Sequence, residues 1–329
     1  MRSLVRRISF YVLTVWIAFT LDFFLPRLVP GDPAVAVMAR FRDKTVDPAM
    51  LSALEIQFGI SHAPLWQQYL QYINNLLHGN FGVSTSYFPL PVANIIVQRM
   101  PWTLGLGIVT IFISFLLGTL LGIINAWRRG SVLDSMISPV MMVVSAIPYF
   151  WIALISLYVF AFMLGWFPLT GGYDEDMLAG WNPDFILSIL DHAILPAFTI
   201  ILSSVAGWML TMRNAMITTL SEDYVLMAKA KGLRNRRVML MYAARNAILP
   251  NVTSFAIAIG FITGGQLLTE TVFSYPGIGF AFVQAVGNKD YALMQGLFLI
   301  IILTVLTANL FADLLYTALD PRVRQERSA

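Results

Sequence analysis

The chain has 329 residues, 58% of them hydrophobic and 12% charged, with a mean hydropathy of +0.72. A soluble domain carries about 25% charged residues, so an ordinary cytosolic globule is excluded, and a chain this apolar cannot remain solvated as a disordered one. The formal net charge of +3 is read as basic loops flanking a membrane, not as nucleic-acid binding, and the absence of cysteine excludes disulfides, thiolate metal sites and a thiol nucleophile.

The apolar residues come in blocks near the ~20 residues that carry a helix across a hydrocarbon core of about 30 Å. The first block, residues 8–25, follows the basic segment MRSLVRR. It is longer than the core of a usual signal peptide. Pro26, Arg27, Pro30, Asp32 and Pro33 also separate it from the small residues Ala34, Val35 and Ala36, so an uncleaved span is expected. Five more spans are expected at 102–127, 136–164, 193–216, 248–270 and 291–319. Pro139 and Pro148 should kink the third, because proline removes an amide donor and clashes one turn back.

Between the first and second spans, residues 30–100 are too long for a simple connection. Two helical patterns are expected there. One is opened by Asp47-Pro48, carries Met50, Leu51, Leu54 and Phe58 on one face, and stops at Gly59. The other runs over 64–78, with Trp66, Tyr69, Leu70, Ile73, Leu76 and Leu77 on a stripe, and ends at Gly79-Asn80-Phe81-Gly82. The segment is a cap packed on the spans, a docking surface for an external partner, or both.

Six spans place both termini on one side. Residues 1–7, 128–134, 213–245 and 318–329 hold 15 of the 21 Lys and Arg residues. Residues 165–191 hold none, but contain Asp174, Glu175, Asp176, Asp184 and Asp191. The basic set is therefore cytoplasmic, both termini included. Ser114, Gly118 and Gly122 on the second span, and Ala256, Gly260 and Gly264 on the fifth, recur every four residues and mark close helix contacts.

No phosphate-binding loop, zinc-protease motif or nucleophile elbow occurs. His62, His78 and His192 are too scattered to suggest a metal site. The candidates for ion coupling among ionisable groups within spans are Asp22, Glu270 and Asp313. None lies centrally, so pairing with a neighbouring helix or a wet helix end is favoured over a proton relay. The most informative segment is the loop over 218–247. It reads as a short helix with Ser221 as N-cap and Gly232 as the C-terminal glycine, followed by a basic second helix leading into the fifth span. Ala228 and Ala230 keep the first helix thin enough for a snug groove; a solvated basic loop held near anionic lipid is the plainer alternative.

This segment resembles the cytoplasmic loop of ABC-importer permeases of the dipeptide/oligopeptide type. The resemblance is carried by Leu28-Val-Pro-Gly-Asp-Pro33, Glu222-Asp-Tyr-Val225, Ala228-Lys-Ala-Lys-Gly-Leu233 and Arg245-Asn-Ala-Ile-Leu-Pro250. It continues through Glu270-Thr-Val-Phe-Ser-Tyr-Pro-Gly-Ile-Gly279, Lys289-Asp-Tyr291, Asp313-Leu-Leu-Tyr316 and Asp320-Pro-Arg322. Leu226 stands where the broader loop pattern has Glu, and the stretch from glycine to Leu-Pro is longer, as in this subfamily.

The resemblance implies an all-α polytopic inner-membrane protein with the type I importer permease fold: six transmembrane helices and a helical external segment between the first two. Residues 1–100 would form the first span and external segment, and 101–329 the permease domain. It implies a second permease subunit, two cytoplasmic ATPase subunits that hold ATP and Mg, and an external substrate-binding protein; this chain would carry no cofactor and no catalytic residue. Asp223, Tyr224, Met227, Ala228, Lys229, Ala230, Lys231, Gly232 and Leu233 would couple to one ATPase subunit. Lys229, Lys231, Arg234, Arg236 and Arg237 would steer that contact or attract lipid. Asp32, Pro276 and Gly277 are the expected binding-protein contacts, and Gln266 the candidate on the substrate path. Peptide ranks first as substrate and oligosaccharide second. Tyr149, Phe150, Trp151, Tyr158, Trp166 and Phe167 suit sugar stacking or an interfacial belt. The competing reading is an ion-coupled carrier acting without ATPase subunits.

Overall fold

The computed structural model describes residues 2–28, 63–178 and 180–319. The expected helix at 47–59 and the candidate Asp32 lie outside the described residues. Within them, regular structure is helical apart from one isolated bridge between Val83 and Pro91. The helices are α1 (Arg2–Leu28), α2 (Leu65–Leu77), α3 (Val92–Trp127), α4 (Val132–Ala146) and α5 (Tyr149–Ser156), the last continued by a π-helical stretch Leu157–Met163. Then come α6 (Pro183–Leu220), α7 (Asp223–Ala230) and α8 (Asn235–Arg237), a second π-helical stretch Val238–Ala244, and α9 (Arg245–Ala247). The chain ends with α10 (Leu249–Gly260), α11 (Ile262–Gly265), α12 (Leu267–Val272), α13 (Ile278–Gly287) and α14 (Tyr291–Leu319).

Of the six expected spans, three are met by unbroken helices long and apolar enough to cross a membrane: Val92–Trp127, Pro183–Leu220 and, within α14, Tyr291–Leu310. The third expected span is a pair, α4 and α5, bent by 95°. The bend falls at Ile147-Pro148, where Ile147 is extended at φ −79°, ψ 124°, the conformation that proline favours in the residue before it. Pro139 sits inside α4 without ending it. The first and fifth are represented by the shorter apolar helices Ser9–Leu25 and Leu249–Gly260. The fifth breaks after Gly260 and again at Gln266, where glycines weaken the helix.

Two helices begin earlier than their hydropathy suggests. Helix α3 spans 36 residues, about 54 Å at 1.5 Å per residue. Pro101 lies inside it, and the preceding turns bury Val92, Ile95 and Ile96. Helix α6 starts at Pro183, with Asn182 Oδ1 accepting from the Phe185 amide at 2.7 Å. Asparagine as N-cap and proline at the first helical position suit that start.

The chain divides into two compact units. The first comprises residues 1–103 and 276–307, the second 104–275 and 308–329. In the first, Val92, Ile95 and Ile96 pack against Ile278, Ala281 and Ala285 of α13 and Leu293, Met294 and Leu297 of α14. Buried Asp290 ties the unit together: it accepts from Ser84 Oγ at 2.5 Å, the Ser86 amide at 2.8 Å and the Leu293 amide at 3.1 Å. Asp290→Asn replaces one acceptor oxygen with a donor while keeping the shape. We expect a loss of about 2 kcal/mol, the scale for charge-assisted bonds, measured as a lower unfolding midpoint in detergent.

Also in this unit, Asp22 of α1 is buried and accepts from Tyr72 Oη of α2 at 2.6 Å. It is thus paired with a neighbouring helix, as expected. Burial, and then the adjacent Asp22 carboxylate, push the Tyr72 phenol above its ordinary value, so the tyrosine is the donor. Tyr69 hydrogen-bonds Thr20 at 2.9 Å. Trp66, Leu70 and Leu77 of the expected α2 stripe are exposed.

In the second unit, α3 packs closely on α6. A Cβ at Gly122 would lie 2.7 Å from both the Met209 carbonyl oxygen and Met212 Cβ, and one at Gly118 would lie 2.8 Å from the Val205 carbonyl oxygen. Gly260 meets Ala308 of α14 in the same way. Asn251 of α10 donates to Thr119 Oγ1 at 3.0 Å and to the Trp208 carbonyl at 3.1 Å. Small faces therefore serve backbone approach, and one buried amide fixes the register of α10.

Candidate functional site

The 218–247 loop folds as a seated short helix. Ser221 is not the N-cap of α7: its hydroxyl donates back to the Thr218 carbonyl at 2.7 Å and closes α6. Extended Glu222 takes the N-cap position, without a side-chain cap bond. The hydroxyl thereby satisfies one of the orphan carbonyls of the helix just finished. Gly232 follows the last helical turn at φ +70° with open space around its Cβ position. It is needed for its left-handed backbone, not for close approach.

Eight residues do not hold a helix in water by themselves. Val225 and Ala228, at 0% and 3% exposure, seat α7 in a core with Ile123, Ala126, Met212, Met216, Val238, Ala243, Ala244 and Ala247. Leu233 packs on the edge of that core. Ala228 therefore faces its own chain. Tyr224, Leu226 and Met227 point outward at 40%, 49% and 59% exposure, and Asp223, Lys229, Ala230 and Lys231 are exposed with them. Asn246 Nδ2 donates to Tyr224 Oη at 2.8 Å, and Lys229 Nζ lies 5.6 Å from the Trp127 ring centroid.

Beside this core lies a polar network that charge counting along the sequence did not single out. Arg213 of α6 grips Asp134 of α4, Nε to Oδ1 at 2.8 Å and Nη2 to Oδ2 at 3.0 Å. Asp134 also accepts from the Gly130 amide at 3.1 Å and from Ser138 Oγ at 2.9 Å, while Asn125 Nδ2 donates to Ser138 Oγ at 2.7 Å. The ends of α3, α4 and α6 are thereby fixed together. The available signal was an arginine on an apolar helix, but nothing along the chain identifies its partner.

A cavity of about 410 Å³ opens in the second unit, lined by Ser145, Ile147, Pro148, Tyr149, Ile200, Ser203, Ser204, Gln266 and Thr269. It lies where the α4–α5 bend and the α11–α12 break face the middle of α6. Gln266, 5% exposed, is among its walls.

Pro276 and Gly277 precede α13, with Gly277 extended at φ −89°, ψ −176° and buried. The Ile278 amide donates to Thr103 Oγ1 at 2.8 Å. Nearby Tyr275 is buried, and its amide donates to the Glu270 carbonyl at 2.8 Å. Burial, then the Glu270 charge, push its phenol up to about 12. His192 Nδ1 is 2.9 Å from the Ser188 carbonyl and Nε2 is 3.9 Å from Asp174. Of the six aromatics expected to stack or to form a belt, Trp151, Tyr158 and Trp166 are exposed, and Tyr149 lines the cavity.

Several apolar helices long enough to cross a bilayer, broken helices around a polar cavity and a short seated helix fit a multi-pass membrane protein. A family model described as the binding-protein-dependent transport system inner membrane component matches residues 118–325, and its N-terminal companion matches residues 1–107. The chain belongs to this family, whose members are transport permease subunits and not enzymes. It is 34% identical over 335 residues to a di/tripeptide transport system permease protein of Pseudomonas aeruginosa, covering 98% of each chain. It is 34% identical to an oligopeptide transport system permease protein of Bacillus subtilis, covering 92% of this chain and 93% of the relative. To a dipeptide transport system permease protein of Escherichia coli it is 30% identical, covering 99% and 100%.

Proposed function

We propose that this chain is the permease subunit of an ATP-driven peptide importer, forming half of the pathway beside a second permease. Two ATPase subunits would hold the ATP and Mg, and an external binding protein would deliver the peptide. The observation that carries this reading is α7: it is held from behind by Val225 and Ala228 while Tyr224, Leu226 and Met227 remain exposed, in a chain whose relatives are named peptide permeases. Apolar side chains on a rigid, seated helix suit a groove on a partner protein. Closure of the ATPase pair would move α7 together with the core beneath it and alternate access to the cavity as a rigid-body change. The concentration of Lys and Arg in 1–7, 128–134, 213–245 and 318–329 supports a cytoplasmic side for this loop and both termini.

The test replaces Met227, which is exposed and outside the seat. With Met227→Glu, we expect the ATPase subunits to be lost from the complex during affinity purification, while the detergent-solubilised permease keeps the unfolding midpoint of the unmodified chain. ATPase retention and undiminished peptide-stimulated hydrolysis would remove α7 from the interface. Uptake by the chain without any ATPase subunit would support the ion-coupled carrier instead.

A further inference from the structure

Helix α2, LWQQYLQYINNLL, carries no charged residue, and at about 100° per residue its side chains fall into three sectors. Tyr69, Tyr72, Ile73 and Leu76 are partly buried and form the side that packs on the rest of the first unit. Trp66, Leu70 and Leu77 lie next to them within an arc of about 40°, and are 63%, 57% and 75% exposed. Gln67, Gln71, Asn74 and Asn75 occupy the opposite sector and are exposed as well. Leu65, in the first turn, is exposed beside the packed sector. The exposed surface is thus divided between an apolar strip and a neutral amide face.

The contacts of α2 fix its height. Tyr69 hydrogen-bonds Thr20 at 2.9 Å, and Tyr72 donates to Asp22. The two tyrosine rings lie 5.3 and 5.5 Å from the ring of Phe23. Thr20, Asp22 and Phe23 belong to the apolar helix Ser9–Leu25, so this turn of α2 is fastened at hydrocarbon depth. At that depth α1 also exposes Leu21 and Phe24. Gln68, however, accepts from Arg27 Nη2 at 3.1 Å, just beyond the apolar stretch, where a basic side chain reaches for headgroups. Helix α2 therefore straddles the level at which hydrocarbon gives way to headgroups. Its 13 residues extend about 20 Å, too short to cross a core of about 30 Å.

We propose that α2 lies in the membrane interface and that phospholipid covers Trp66, Leu70 and Leu77, with the amide face turned to headgroups and water. Interfacial helices bury one apolar face about 5–10 Å into the headgroup boundary. The fastening to Thr20 and Asp22 holds the strip at that level, and α2 has no charge to steer a soluble partner to it. A helix held there and bonded to Thr20, Asp22 and Arg27 sets the height of α1 in the bilayer. The assignment rests on α1 crossing the membrane and not on the identity of the solute.

The chain has no cysteine, so single nitroxide labels report position directly. Trp66→Cys, Leu70→Cys and, on the amide face, Asn74→Cys are each labelled in the complex of this chain with its partner subunits, in nanodiscs of phosphatidylcholine and phosphatidylglycerol. Trp16→Cys, at an exposed position of α1, is the reference within the bilayer. Collision of the label with oxygen, which concentrates among acyl chains, is compared with collision with a water-soluble nickel chelate. We expect the oxygen-to-nickel ratio at Trp66 and Leu70 to exceed that at Asn74 at least about threefold, as one immersed face of an interfacial helix requires, and to approach that at Trp16. Equal ratios at Leu70 and Asn74 would place the strip in water and overturn the proposal. Labels at Trp66 and Leu70 that are immobile and shielded from both reagents would mean that a protein subunit covers the strip, which overturns it equally. Nickel access at Trp16 would take α1 out of the bilayer, and the proposal with it.

Discussion

In the proposed importer, Ala228→Glu should abolish substrate-stimulated ATP hydrolysis in the reconstituted complex, by at least about a hundredfold, while the isolated ATPase subunits keep their basal rate. Ala228 is 3% exposed and lies in one core with Met212, Met216, Val238 and Ala243. A carboxylate there has no cation within the cluster, and removing an unpaired charge from water costs several kcal/mol. The seat cannot absorb that cost, because a helix of eight residues depends on tertiary burial for its existence. Burying Val225 contributes only about 1.5–3 kcal/mol. The helix therefore leaves its seat, and the proposed lever loses its fulcrum. Ala230→Glu is the control, because Ala230 is exposed on the same helix and should retain stimulation. Equal behaviour of the two variants would mean that the seat is not required for coupling.

Arg213→Met should destabilise the chain by about 3 kcal/mol, the lower end of the range for removing one partner of a buried pair. The lower end applies because the side chains are not fully sealed, with 19% exposure for Arg213 and 10% for Asp134. The loss comes mainly from Asp134, which keeps its bonds from Gly130 and Ser138 but loses the cation that grips it. A double variant, Arg213→Met with Asp134→Asn, removes both charges and should recover most of the lost stability. Unfolding midpoints in detergent for the two singles and the double give the coupling energy directly. Additive losses would show that the pair does not join α4 to α6.

The two effects concern one assembly. The polar network ties the ends of α3, α4 and α6 together, and the Met- and Ala-rich core beside it seats α7. In the proposed importer, force applied to the exposed face of α7 would reach those helices through packed side chains.

Much of this arrangement is legible along the chain because it is local. Hydropathy over blocks of ~20 residues marks the long helices, since crossing a bilayer is a requirement of length and apolarity. The glycine after α7 is legible because a left-handed residue is a backbone requirement that few residue types meet. The motif order led to the family for the same reason: it is written in sequence. The boundary errors are local competitions. Ser221 has the chemistry of an N-cap, but its hydroxyl is used by the helix before it. Pro101 resembles a helix start, yet α3 runs through it because the turns before it have a buried face to occupy.

The composition and pattern of this sequence, by themselves, determined a helical membrane protein, the position of its loop and the family to which it belongs, because each depends on residues close together in the chain. Tertiary structure alone decided which face of α7 is held and which is free, that Arg213 meets Asp134 across 79 positions, and that the breaks at Ile147 and Gln266 enclose one polar cavity. Those outcomes depend on helices distant in sequence filling one another's surfaces. Only the folded packing brings together the opposing side chains and the polar groups that define the sites.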